Sequence, residues 1–335
     1  MNTQNKPVVS WGIIGCGDVT EIKSGPAFNK VNGSTLVAVM RRDAAKAADY
    51  ARRHGVGRWY DEATALLDDP GINAVYIATP PAFHKAYAME ALRRGLSVYL
   101  EKPVTLNTAE AEAIAEAVQQ SRARFVAAHY RRALPMFLFV KELLDRKAIG
   151  QVRTVQIRMW QAARPRLVTH TDQPWRLNPA LSGGGYFHDL APHQLDLMLY
   201  FFGAPTWMQG GALNQANIST AHDHVTGIAL FDNNIVLNGS WSFNVAGRDQ
   251  ADECLVAGSE GSIRFPFFGN SVSWHNNEFP DGQVLNFEHP PHIQQPMIEQ
   301  VVNYFQHTGD NPCSIEQAII VMRMIDAFAK DITHI

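Results

Sequence analysis

The chain has 335 residues, enough for two domains that each bury a core of their own. With 46% hydrophobic and 18% charged residues and a formal net charge of -3, no sign of charge dominates, so nothing points to a nucleic-acid partner. No run supplies about 18 uninterrupted apolar residues, and the start, MNTQNKPVVSWGIIG, has no basic region leading into a secretion-type core, so a cytoplasmic protein with no membrane partner is expected.

In chain order, VVSWGII (8–14), STLVAVM (34–40), AVYIAT (74–79) and LSVYLE (96–101) are short β-rich runs. Segments of helical spacing such as DAAKAADYARRHG and PAFHKAYAMEALRRG separate them. Near-continuous apolar strands alternating with helices predict a doubly wound parallel sheet covered on both faces, an α/β Rossmann domain over 1–128, with ligands at the carboxyl ends of its strands.

The first strand runs into GIIGCGDVT, where Gly15 and Gly17 fill two positions of a dinucleotide fingerprint and Thr20 stands at the third. Gly15 permits the tight turn, Gly17 lets backbone approach a pyrophosphate, and the helix opening at Asp18 and Val19 offers N–H groups to it. A glycine turn with no ligand is the alternative, and the strand before and helix after count against it.

The second strand ends in VAVMRRD, so Arg41 and Arg42 stand where an NAD site usually has an acid. A guanidinium suits the 2'-phosphate of NADP, which makes NADP the preferred cofactor and NAD the second choice. The alternative reading leaves one or both arginines on solvent, with Asp43 capping the next helix.

SVYLEKP places Glu101 and Lys102 just past a strand end on the cofactor side, with Pro103 restricting Lys102. Lys102 there is a candidate donor or proton relay to a substrate oxygen, although a surface lysine is equally compatible. Tyr130 and Arg131, in HYRRALPMF, are candidate cleft residues or the start of a charged helix.

QPWRLNPALSGGG carries Trp175 and Arg176, a possible sugar-stacking ring or core anchor and its neighbour, ahead of a triple glycine. YFHDLAPHQLD (186–196) then reads as a helix with Asp189 and His193 one turn apart on one face and Asp196 continuing it. Apolar residues seat the rest of the helix, leaving Asp189 and His193 at its more accessible beginning, with Pro192 near the first turn. The helix lacks HExxH spacing and no Cys lies nearby, so no metal is expected; the imidazole instead suits proton exchange with a hydroxyl. A polar face that merely meets water is the plain alternative.

QVRTVQIRMWQ, TGIALF, NIVLNGSWSF, ADECLVAGS and GSIRFP predict a large, open, mainly antiparallel sheet in an α+β domain over 129–335. Ser314-Ile-Glu-Gln317 reads as a capping box for a last helix whose apolar stripe docks back on the first domain. Cys16, Cys254 and Cys313 are odd in number and far apart, and read as buried thiols.

GIIGCGDVT, ATPPAFH (78–84), EKP (101–103) and GGGYFHDLAPHQLD (183–196), in this order and spacing, resemble the Gfo/Idh/MocA family of sugar and cyclitol oxidoreductases over nearly the whole chain. Ala191 and Thr20 depart from it at positions often held by Gly and Ala. The resemblance implies that Thr79, Pro80 and His84 line the nucleotide side, that Lys102 lies near the nicotinamide, that His193 is the acid-base and that Asp189 binds substrate. It also implies a homodimer or homotetramer formed through the open sheet.

The resulting expectation is an NADP-preferring enzyme that interconverts a secondary alcohol and ketone of a sugar, cyclic polyol or related diol. The rivals are a glycosidase working by transient oxidation with NAD, and a non-catalytic dinucleotide sensor. Substrate choice rests on loops 162–180 and 266–292.

Overall fold

The protein is described by a computed structural model over residues 7–168 and 175–332, so 169–174 of the first specificity loop lie outside the described residues. The chain divides into two compact units. One runs to Tyr130 and takes in Pro290–Ile319 as well; the other comprises Arg131–His289 and the chain from Ile320 onward. A second domain continuous from 129 was expected; the division differs because the segment beginning at Pro290 makes its hydrogen bonds to the first unit, Gln294 to Tyr76, Tyr99 and Glu101 among them.

The first unit opens with β1 (Val9–Ile14), α1 (Asp18–Ile22), β2 (Ser34–Met40), α2 (Ala44–His54), β3 (Arg58–Tyr60) and α3 (Ala63–Leu67). It continues through β4 (Ala74–Ile77), α4 (His84–Arg93), β5 (Ser97–Leu100), α5 (Thr108–Gln120) and β6 (Phe125–Ala127). The six strands form one parallel sheet in the order β3-β2-β1-β4-β5-β6, the doubly wound arrangement with its switch point between β1 and β4. Strands β4 and β6 are buried at every position, as a sheet covered on both faces requires. Capping follows the sequence: Asp43 and Asn107 accept from the third residue of α2 and α5.

The second unit contains α6 (Pro135–Asp145), β7 (Val152–Trp160), α7 (Pro179–Ser182) and α8 (Tyr186–Phe202), followed by seven more strands. These are β8 (Trp207–Leu213), β9 (His224–Phe231), β10 (Ile235–Ser242), β11 (Ala251–Gly258), β12 (Ser262–Phe265), β13 (Ser271–His275) and β14 (Gln283–Asn286). They form an eight-stranded sheet in the order β14-β13-β12-β11-β7-β10-β9-β8, antiparallel except where β10 runs parallel to β7. Along β9 and β10 buried and more exposed residues alternate, so one face is core and the other open. On the core face Trp241 donates to Gln194 of α8 at 2.6 Å.

Helix α9 (Gln295–Phe305) belongs to the first unit, and α10 (Ile315–Phe328) closes the fold. Ser314 and Gln317 exchange the two hydrogen bonds of the expected capping box. Phe328 sits where a side chain on Gly210 or Gly227 would be, so two glycines in adjacent strands admit the end of the helix to the sheet. Among the described residues no helix is long and apolar enough to cross a membrane.

Candidate active site

The register of the parallel sheet sets the level of the first half-site. Ile14 lies opposite Met40 and Ile77, Ile77 opposite Leu100, and Leu100 opposite Ala127. Because the strands are parallel, the residues that follow this row, Gly15, Arg41, Ala78 and Glu101, all leave the sheet at the carboxyl ends of the strands. The sequence motifs for a cofactor are therefore brought together although they are spread over some ninety positions.

At that end Gly15 has φ +93°, and a Cβ on it would lie 2.8 Å from Thr79 Cγ2 and 3.0 Å from the Ala78 carbonyl, so glycine is required on both counts. A Cβ on Gly17 would meet nothing closer than 4.0 Å, which leaves open space over the turn. Thr79 Oγ1, beside the turn, is buried with no hydrogen-bond partner in the chain. Open backbone and an unsatisfied buried hydroxyl fit a polar ligand such as a dinucleotide pyrophosphate.

Helix α1 is only five residues long, and a 3-10 turn over Gly25–Asn29 follows it. Asp18 and Val19 open it, Asp18 exposed and Val19 partly so. Thr20 is accommodated by full burial and by donating its hydroxyl to the Gly17 carbonyl at 2.8 Å.

The two arginines diverge. Arg41 Nη1 donates to the Cys16 carbonyl at 3.2 Å, bracing the glycine turn, whereas Arg42 is exposed and rests its guanidinium over the Phe83 ring at 5.0 Å. Burial pushes the Cys16 thiol up to about 11, so it stays protonated.

Beyond β5 the Lys102–Pro103 peptide is cis, and Lys102 is partly exposed. Glu101 turns inward: Tyr76 OH donates to its Oε1 at 2.5 Å, Gln294 Nε2 to the same oxygen at 2.7 Å, and the Lys102 N–H to its Oε2 at 3.1 Å. His84 is also internal, with Nδ1 2.9 Å from the Pro103 carbonyl and Nε2 2.7 Å from that of Thr79, and burial lowers its pKa. Both were expected to line the nucleotide side; their side chains are buried and brace the backbone at Thr79, Pro103 and Lys102, while Pro80 remains partly exposed. Gln294 has no sequence motif and sequence reading missed it.

In the second unit α8 carries the other candidates. Asp189 Oδ2 accepts from Arg176 Nε at 2.8 Å, and the Arg176 guanidinium lies 4.5 Å over the Trp175 ring, so three predicted substrate residues form one cluster. His193, one turn further along, is 5% exposed and packs edge-on to Phe268. It is thus less accessible than the helix start was expected to be. Pro192 falls in the second turn rather than near the first, and its missing N–H leaves the His188 carbonyl without the usual helical donor.

Asp196 belongs to the framework, with Arg132 donating to both its oxygens at 2.7–3.1 Å in a buried pair. Arg131 is similarly committed, to the Phe267 carbonyl at 2.5 Å and over the Phe268 ring. It therefore positions the ring that His193 packs on. Tyr130 is buried in the turn before it.

Comparison with known proteins agrees with both halves. Residues 9–129 match the oxidoreductase family model with an NAD-binding Rossmann fold, and 137–264 the C-terminal domain model of the same Gfo/Idh/MocA family. Oxidoreductase P35 of Formosa agariphila is 46% identical over 96% of this chain and 98% of its own. The chain belongs to the Gfo/Idh/MocA oxidoreductase family. As a member it is a dehydrogenase or reductase. Levoglucosan dehydrogenase of Pseudarthrobacter phenanthrenivorans is 27% identical, over 66% of this chain and 62% of its own. Among solved structures, a levoglucosan dehydrogenase in complex with NADH and levoglucosan superposes with TM-score 0.84 at 20% identity, covering 96% of each chain, a likeness of fold.

Proposed function

We propose that this Gfo/Idh/MocA enzyme interconverts a secondary alcohol and a ketone on a sugar, cyclic polyol or related diol, with NADP preferred over NAD. The observation that carries the reading is the side-chain order on α8: His193 follows Asp189 by one turn, and Asp189 is fixed against Arg176. An oriented carboxylate holds a sugar hydroxyl, and an adjacent imidazole takes or returns the proton of the reacting hydroxyl. Lys102 donates to the substrate oxygen from its loop after β5. The nicotinamide, when bound, supplies the hydride acceptor or donor. The levoglucosan dehydrogenase relative supports an anhydrosugar or similar ring as substrate.

For cofactor choice, Arg42 is the residue that reads the 2'-phosphate, since it is exposed and already held by Phe83, while Arg41 supports the turn. Calorimetry of the purified protein with NADP and NAD tests this. Arg42→Ala should weaken NADP by about 10- to 100-fold, the value of a charge-assisted bond, and leave NAD nearly unchanged. Equal losses for both nucleotides, or tighter binding of NAD by the wild type, would refute the preference.

With the preferred nucleotide, a panel of levoglucosan, free hexoses and inositols follows, read at 340 nm at roughly neutral pH where imidazole exchanges protons. Turnover on none of them would overturn the substrate class. We also propose assembly as a dimer or tetramer through the open sheet face, which presents Trp207 and Ile228 to solvent.

A further inference from the structure

Gln294 has no place in the reaction so far, yet its side chain enters a buried polar cluster of the first unit. It is 1% exposed, and its Nε2 lies 2.7 Å from Glu101 Oε1 while its Oε1 accepts from Tyr99 OH at 3.1 Å. Tyr76, stacked on Tyr99, adds its hydroxyl to the same Glu101 oxygen. Glu101 Oε2 takes the backbone N–H of Lys102. A buried carboxylate requires such donors, and its partners fix where it lies.

The same short segment grips the glycine-turn helix. The Gln294 N–H donates to the Lys23 carbonyl at 3.1 Å, and His292 Nδ1 is 2.7 Å from that of Ile22. Residues 292–294 thus hold, at one end, the helix that follows Gly17 and, at the other, the carboxylate that receives Lys102. An apolar side chain of similar size would fill the space and satisfy neither Glu101 nor Tyr99.

We propose that segment 292–294 is a clip that fixes Lys102 relative to the dinucleotide turn, and that Gln294 is a positioning residue for the reaction, acting through Glu101. The inference rests on the proposed role of Lys102. Gln294 sets the direction of the Glu101 carboxylate, and Glu101 sets the backbone that carries the lysine.

Three variants test it: Gln294→Met, Gln294→Glu and Lys102→Ala, each assayed with the best sugar or cyclitol of the panel above. Gln294→Met should lower kcat at least tenfold with KM for that substrate changed less than threefold. Hydrogen exchange, read by mass spectrometry without substrate, should quicken at the peptide containing Lys102 and stay unchanged in β6 and α5.

Gln294→Glu places two carboxyls around one proton, so one of them titrates high. The other titratable groups facing Glu101 are Tyr76 from β4, Tyr99 from β5 and His84 from α4. At low pH the shared proton replaces the amide donor, and kcat should approach wild type. As pH rises and that proton leaves, repulsion moves Glu101 and kcat should fall along a limb absent from the wild-type profile.

Unchanged kcat and exchange in Gln294→Met, or a Gln294→Glu profile parallel to wild type, overturns the clip. Full turnover by Lys102→Ala overturns the role of the lysine itself. Loss in Lys102→Ala with none in Gln294→Met overturns the clip alone.

Discussion

His193 reaches its position through three neighbours of different kinds. Helix periodicity sets it one turn from Asp189, Phe268 meets the edge of its ring, and Arg131 holds Phe268 from below. Removing the imidazole should therefore cost chemistry rather than fold: His193→Ala is expected to lower kcat by about 10²- to 10⁴-fold, the usual reach of general acid-base catalysis. Its dinucleotide affinity by calorimetry should match wild type, and retained turnover would refute the assignment. His188, five residues earlier, has another fate. Burial lowers it from 6.5 to about 4, so between those values the unfolded chain binds a proton that the folded chain refuses. Stability present above about pH 6.5 should thus decline as pH falls toward 4, by on the order of 3 kcal/mol. Urea unfolding across that range measures it, and a His188→Asn variant should lack the acid-side slope.

The helix α8 is anchored by charge as well as by apolar burial. Arg132 and Asp196 are both buried, so deleting one charge leaves the other without compensation: Asp196→Leu should cost about 3–5 kcal/mol, and adding Arg132→Met should recover much of that. Chemical denaturation of the two single variants and the pair tests it, and additive losses would show that the pair is not the cause. The elements legible in sequence were those with long, unbroken patterns. Strands β1, β2, β4 and β5, α8 and the α10 capping box emerge where expected. The short β3 carries a mostly exposed Arg58-Trp59-Tyr60 with no apolar run to betray it, and exposed β14 offered no buried face to read. Site motifs were legible as types of residue, but their direction was not. Glu101, His84 and Arg131 sit at motif positions and face inward because Gln294, the Thr79 and Pro103 carbonyls and the Phe267 carbonyl claim them. The Gln294 and Glu101 pairing spans 193 positions, beyond any local periodicity.

At the scale of the whole molecule, the proposed assembly would use the open sheet face. Register aligns Gln209, Ile228, Asn238, Gln156, Leu255 and Arg264 in one row on that face, mixed in polarity with Ile228 43% exposed. A lysine on such a face is costly to bury, so Ile228→Lys should shift sedimentation from oligomer to monomer without altering the circular dichroism spectrum. A wild type that sediments as a monomer would refute assembly through this face. The return of Pro290–Ile319 to the first unit bears on how the protein is made. Ribosomes deliver the glycine turn and Lys102 early, but the amide that Glu101 needs comes at position 294. The dinucleotide-binding unit therefore lacks one of its buried donors, and helix α9, while the sheet of the second unit is being synthesised. A nascent chain paused between 130 and 290 holds the Glu101 carboxylate with its Tyr76 and Lys102 donors in place and the Gln294 amide still untranslated.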